Sequence, residues 1–209
     1  LEPINVDRQI TNEYVLNGEN DFALGAPEEL IIARSEGKKV RAVTAIFQIA
    51  PLVYMAPEGT GISKPADFAD QTVALSPGQG TYLYEAMLGH LGVDRSQINE
   101  TQMTSWDLLE CWESADVCTG YAINDLPYVE REGQPANAIW PADYGALFYG
   151  DVLFTTDEFI EKNPDVVERF VRATLKGWQK AIENPDLAAK ATLAFDSELD
   201  HDLQLDSME

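Results

Sequence analysis

Short apolar runs alternate with helix-like segments along the chain, and that alternation leaves few architectures besides an α/β fold with a mainly parallel sheet. The first unit is DFALGAPEELIIARSEGKKVRAVTAIF, residues 21–47. Asp21 to Leu24 reads as a strand and Gly25-Ala26-Pro27 as a turn, with Pro27 suited to a first helical turn and Glu28 and Glu29 complementing the helix N-terminus. The helix stops at Gly37, and Val40 to Phe47 is β-branched enough for the next buried strand.

The pattern repeats further on. PLVYMAPEGTGISKPADF passes from a strand at Leu52 to Met55 into a glycine- and proline-rich connection, which marks a boundary. QTVALS then reads as a strand and TYLYEAMLGHLG as a helix ended by Gly92. TSWDLLECWE is a short helix, DVCTGYAI a strand ending at Asn124-Asp125, and YGALFYGDVLFTTDEF a second boundary where a strand enters a helix start. The strongest helix is PDVVERFVRATLKGWQKAIENP, whose Val167, Phe170, Val171, Leu175, Trp178 and Ile182 recur at helical spacing. The remaining acidic stretch forms a short helix and then frays.

Composition limits function. The 209 residues hold 36 Asp and Glu against 14 Lys and Arg, a net charge of −22 that repels phosphate backbones and argues against nucleic acid as a partner. No run of 18 apolar residues occurs and no charged-then-apolar leader opens the chain, so it reads as soluble, with export left open. His90 and His201 supply little for a metal site or triad. Cys111 and Cys118 match no zinc spacing; a bridge needs a turn between them, and the preferred reading is two small buried thiols. ALSPGQGTYLYEAM, residues 74–87, joins strand to helix through two glycines, but it lacks a Gly-Lys-Ser/Thr ending and a third glycine at nucleotide-fold spacing. Neither a P-loop nor a dinucleotide fingerprint is present.

Several of these stretches together resemble a known group. ENDFALGAPEELIIARSEGKKVRAVTAIFQIAPLVYMAPEGTGISKPADF, DVCTGYAINDLPYVEREG and YGDVLFTTDEFIEKNPDVVERFVRATLKGW are similar to extracytoplasmic solute-binding proteins for thiamine-pyrimidine precursors, related to those for nitrate, sulfonates and taurine. The likeness covers most of residues 18–185 in order, and Phe47-Gln48 followed by Pro51 points to the pyrimidine-precursor branch. It implies a type II periplasmic-binding-protein fold with a ligand held between two α/β lobes. Lobe one is then 1–57 with 153–209 and lobe two 58–152, with crossings near 56–61 and 149–155. It also implies an extracytoplasmic location, periplasmic or tethered to the outer face of a membrane, and a permease or fused signalling module as reader. No cofactor or catalysis is implied. Such proteins begin with an extra strand and helix ahead of a strand whose equivalent here is Leu1 to Val6; if these are truly absent, an exposed edge favours self-association.

Ligand contacts are expected in loops at the carboxyl ends of strands, where helix N-termini and free N–H groups converge. Three loops stand out: Gly25 and Ala26; Gly78, Gln79, Gly80 and Thr81; and Gly120-Tyr121 with Asn124. The glycines near residue 80 permit close approach and Thr81 offers a hydroxyl, while Tyr121 can stack on a flat ligand and Asn124 can read ring donors or cap a turn. Phe47, Gln48, Tyr82, Trp106 and Tyr149 complete the candidate set at segment ends, where an even alternative is ordinary packing. Trp112, Trp140 and Trp178 are assigned to packing, and Thr104 or Ser105 to a helix cap with Asp107 in the first turn.

The leading function is a non-enzymatic receptor for a small, heterocyclic, pyrimidine-like solute. One alternative is an enzyme that makes the thiamine pyrimidine with pyridoxal phosphate and iron, but those enzymes use a cysteine-rich cluster and active-site histidine and lysine. A second is a receptor for an oxyanion such as a sulfonate, which the absence of Lys and Arg from the three loops disfavours.

Overall fold

The computed structural model describes residues 11–208, so the strand expected over Leu1 to Val6 lies outside the described residues. Contacts group residues 11–50 with 148–175, and 51–147 with 176–208, into two compact units. The resemblance implies divisions at 57/58 and 152/153, with all of 153–209 in the first lobe. Residues 176–208 instead group with the middle of the chain, where Arg131 Nη2 pairs with Asp206 and Arg131 Nη1 lies 3.2 Å from Asp200. The expected fraying tail is a helix tied down by ion pairs.

In unit one, α1 (Thr11–Leu16), β1 (Ala23–Gly25), α2 (Pro27–Ser35) and β2 (Val40–Ala45) are followed, after the excursion into unit two, by β8 (Val152–Thr156), α6 (Asp157–Lys162) and the start of α7 (Pro164–Glu183). The three-stranded sheet has the order β1-β8-β2, with β8 antiparallel to both neighbours. Pro27 stands at the first turn of α2 with Glu28 and Glu29, as its missing N–H and the helix dipole favour. Val15, Ala23, Leu30, Ala33, Val40, Val152 and Phe154 form the core. Phe22 stacks on Phe170 of α7 with centroids 4.2 Å apart, while Leu175 and Ile182 of the same apolar stripe stay exposed. Arg34 and Arg41 both reach the Asp157 carboxylate, at 2.8 and 2.7 Å.

Unit two contains β3 (Leu52–Pro57), β4 (Thr72–Leu75), α3 (Gln79–Leu91), β5 (Asn99–Gln102), α4 (Leu108–Trp112), β6 (Val117–Tyr121), α5 (Ala122–Arg131) and β7 (Ala136–Ile139), then the end of α7, α8 (Pro185–Leu193) and α9 (His201–Asp206). Its sheet order is β5-β4-β6-β3-β7. β4 is parallel to β5 and β6, whereas β3 is antiparallel to β6 and β7.

The expectation of mainly parallel strands is therefore met only in part. In each sheet one strand, β8 or β3, is inserted antiparallel between two strands that run parallel to one another. Each inserted strand is the first after the chain passes from one unit into the other. Side-chain pattern reports burial and not direction, so this reversal has no signature in the sequence.

Cys111 of α4 and Cys118 of β6 are joined by a disulfide, which corrects the reading of two free thiols. The turn between helix and strand folds the chain back so that their Cα atoms lie 6.4 Å apart, inside bridging range. The bond sits in a core of Val53, Met55, Ala74, Leu108 and Val129, with Trp112 and Trp140 packed against it. Trp112 also donates its indole N–H to the Met55 carbonyl at 3.1 Å.

Candidate functional site

In unit one the candidate residues gather at one edge of the sheet. Gly25 ends β1 level with Val152, which is also level with Ala45 of β2, and Ala26 is the N-terminal cap position of α2. Beyond β2, three backbone bonds zip the strands outward: Ile46 N–H to Asp151 O at 2.8 Å, Gly150 N–H to Phe47 O at 3.0 Å, and Ala50 N–H to Phe148 O at 2.9 Å. These bonds bring Phe47, Gln48 and Tyr149 together, with Gln48 exposed and the Tyr149 side 52% exposed.

In unit two the parallel strands decide the arrangement. Leu75 is level with Gln102 and Ala74 with Cys118, so the segments leaving β4, β5 and β6 emerge at the same sheet edge. From those segments come Gly78 to Tyr82, Trp106 and Tyr121. Trp106 is 70% exposed and Tyr82 44%, so both rings offer faces to solvent.

The glycine loop divides its roles differently from the expectation. Gly78, at φ +71°, is the one conformational glycine of the loop; a side chain there is strained by backbone geometry alone. Gly80 is buried, and a Cβ on it would land on Ser76 Oγ and lie 3.1 Å from Thr119 Cγ2. Its missing side chain seats the first turn of α3 against the sheet. Tyr54, fully buried on β3, donates its hydroxyl to the Gly80 carbonyl at 2.6 Å, anchoring the loop from below. The Thr81 hydroxyl donates to the Ser76 carbonyl at 3.0 Å, so the donor expected to meet a ligand is engaged within the loop.

At the end of β6, the Tyr121 N–H donates to Asp125 Oδ2 at 2.5 Å. Asn124 is exposed on the first turn of α5, because β6 ends at Tyr121 and the helix begins at Ala122, ahead of the expected strand end at Asn124-Asp125. Desolvation raises the Asp125 carboxyl above its ordinary range, the Tyr121 N–H opposes that, and the Asp107 charge reinforces it. Asp107 is itself the cap of α4, accepting from Leu109 N–H at 2.8 Å and from the Tyr128 hydroxyl at 3.1 Å. Ser105 Oγ accepts the Asp107 N–H at 3.1 Å, so Asp107 is the cap that was expected of Thr104 or Ser105, and Ser105 stands two residues before it.

Sequence reasoning missed Asp125, Ser76 and Thr119. Asp125 had a signal, an acid four residues after a strand-end aromatic. Ser76 and Thr119 gave none, since a buried hydroxyl in a strand looks like any other small residue until its partner strand is known. Among the described residues no group of three or more His, Cys, Asp or Glu is placed to hold a metal ion, and no helix is long and apolar enough to cross a membrane.

The arrangement is that of a known class. The structure superimposes on the periplasmic aliphatic sulphonate binding protein SsuA from Escherichia coli with a TM-score of 0.71, at 18% identity, covering 93% of this chain and 68% of that one. The fold is thus the type II periplasmic-binding-protein fold. The chain belongs to the NMT1/THI5-like family, whose model matches residues 3–188. It is 26% identical over 178 residues to the riboflavin-binding protein RibY of Chloroflexus aurantiacus, covering 83% of this chain and 50% of that one. It is 29% identical over 195 residues to the formylaminopyrimidine-binding protein of Halalkalibacterium halodurans, covering 89% and 58%. The chain therefore spans a little over half the length of these curated relatives.

Proposed function

We propose that the chain is the ligand-binding part of an extracytoplasmic receptor that captures a small, flat nitrogen heterocycle and delivers it to a membrane permease without chemical change. The observation that carries the proposal is the family match over residues 3–188 together with exposed aromatic faces, Trp106 and Tyr82, at the strand ends of unit two. Such rings supply large contact area at small entropic cost to a planar solute. The relatives named for riboflavin and formylaminopyrimidine bind ligands of that shape class. The non-enzymatic character is supported by the relatives being named as binding proteins and by Cys111 and Cys118 being bonded to one another.

A thermal-shift screen of the purified protein with riboflavin, formylaminopyrimidine, ethanesulfonate and amino acids tests the proposal. A ligand at one hundred times its Kd stabilises the native state by about 2.7 kcal/mol. For a chain of this size that raises Tm by about 5–10 °C. No shift with either heterocycle, in a sample that melts cooperatively, refutes it.

A further inference from the structure

A structural neighbour is named as an aliphatic sulphonate binding protein, so charge preference is the first property a ligand site here has to settle. A sulfonate is held by N–H and O–H donors and by cations. At the strand ends of unit two, several donors are already used inside the protein. Ser76 N–H goes to Thr119 Oγ1 at 3.0 Å, Asp107 N–H to Ser105 Oγ, Thr81 Oγ1–H to the Ser76 carbonyl and Tyr121 N–H to Asp125. The segments 76–82, 103–107 and 120–125 contain no Lys or Arg. Each described arginine is engaged in an ion pair elsewhere: Arg34 and Arg41 with Asp157, Arg95 with Glu85 and Glu100, Arg131 with Asp200 and Asp206, Arg169 with Asp165, and Arg172 with Glu168.

Asp125 is the group that acts most directly on this edge. Its Oδ2 sits against the backbone of the β6 terminus: a Cβ on Gly120 would lie 3.1 Å from it and 3.1 Å from Met55 Sδ, so a side chain there would crowd the carboxylate. No ion pair with a lysine or arginine neutralises Asp125 or Asp107 among the described residues, and the two charges repel one another. Tyr121, whose N–H the carboxylate holds, is the strand-end aromatic of the candidate site.

We infer that Asp125 determines ligand charge in the site proposed above: its carboxylate occupies the Tyr121 N–H, a donor that an anion could otherwise use, and places negative charge at the backbone where β6 ends. The site then accepts neutral or N–H-bearing heterocycles and rejects sulfonates, with Asp107 adding to the same field. This rests on the receptor reading. Asp125 acts on specificity through charge and through the Tyr121 backbone, so the informative readout is a ratio of affinities, which a loss of stability alone leaves unmoved.

Titration calorimetry with formylaminopyrimidine, riboflavin and ethanesulfonate at one ionic strength, on the wild type, Asp125→Asn and Asp125→Glu, tests it. The wild type is expected to bind a heterocycle and to bind ethanesulfonate at least 100-fold more weakly. Asp125→Asn keeps an oxygen to accept the Tyr121 N–H and removes the charge, so the ratio should narrow about tenfold, whereas Asp125→Glu keeps the charge and should hold the ratio within about threefold. An unchanged ratio in Asp125→Asn, or wild-type preference for ethanesulfonate, overturns the inference and leaves the receptor reading standing. Absence of all binding by the wild type overturns both. If Asp125→Asn does not fold, Asp107→Asn, which retains an acceptor for Leu109 N–H, carries the charge test: narrowing of the ratio supports the inference and constancy overturns it.

Discussion

Replacing Gly80 by alanine separates the two readings of the glycine loop. If the residue is glycine so that a ligand can approach, a methyl group should weaken ligand binding and leave stability alone. The structure says otherwise. The added Cβ meets Ser76 Oγ and stands 3.1 Å from Thr119 Cγ2 and 3.2 Å from Ser76 Cβ; the hydroxyl can rotate away, but Ser76 Cβ and Thr119 are held by the bonds around them. Ser76 N–H is bonded to Thr119 Oγ1 at 3.0 Å, Thr119 Oγ1 donates to the Ala74 carbonyl at 3.2 Å, and Tyr54 holds the Gly80 carbonyl at 2.6 Å. Overpacking of a tight site costs up to about 3 kcal/mol. The better helix propensity of alanine returns at most about 1 kcal/mol. The net loss is therefore about 2 kcal/mol, a fall in Tm of roughly 4–8 °C for a chain of this length. Thermal and urea unfolding measure it. Combining the change with Ser76→Ala removes the worst contact, so the double variant should be more stable than the sum of the single effects predicts by about 1 kcal/mol. An alanine variant as stable as the wild type, or a cycle with no coupling, refutes the packing argument and returns Gly80 to the ligand side.

Two further outcomes follow from the same coordinates. The Cys111–Cys118 bond closes a loop of sequence separation 7, and chain entropy puts its contribution at about 2.5 kcal/mol; the paired Cys→Ala variant should unfold at correspondingly lower urea, and an unchanged midpoint would show that the closed turn persists unaided. Arg41, then Arg34, hold the Asp157 carboxyl below its ordinary range. A depressed folded-state value gives stability that is present above the unfolded carboxyl pKa of about 3.9 and lost as pH falls through the folded value. Asp157→Asn should therefore be less stable than the wild type at neutral pH and lose less on acidification below about pH 4, followed by denaturant melts across pH 2–6; parallel curves for the two proteins would rule the linkage out.

How far the sequence reached can be judged element by element. The Pro27 helix start, the strands at Val40, Leu52, Thr72 and Val152 and the long amphipathic helix at Pro164 were legible because each combines a hydrophobic period with a local start or stop signal. β5 was missed: Asn99 to Gln102 is polar and exposed at the sheet edge, so it has no alternation to read. α5 was missed because Ala122 and Ile123 continue the apolar run of β6, and Pro127 inside it argues against a helix. The candidate loops were found from their glycines and aromatics, but what those residues do locally was not. Gly80 serves packing, Thr81 bonds its own loop, and Asp107 is a cap.

By itself the sequence determined most of the strands and helices, the acidic composition, and the resemblance that the family match bears out, since these depend on residues near one another in the chain or on the whole pattern taken together. Only the tertiary structure decided that β3 and β8 run antiparallel between parallel neighbours, that the last residues pack with the middle unit, that the cysteines are bonded, and that Asp125 faces the Tyr121 backbone. Each of these is a pairing between groups that hydrophobic period does not connect: direction, partner strand and hydrogen-bond acceptor are set by which surfaces meet when the core closes, and a one-dimensional pattern of apolar and polar residues carries no information on that choice.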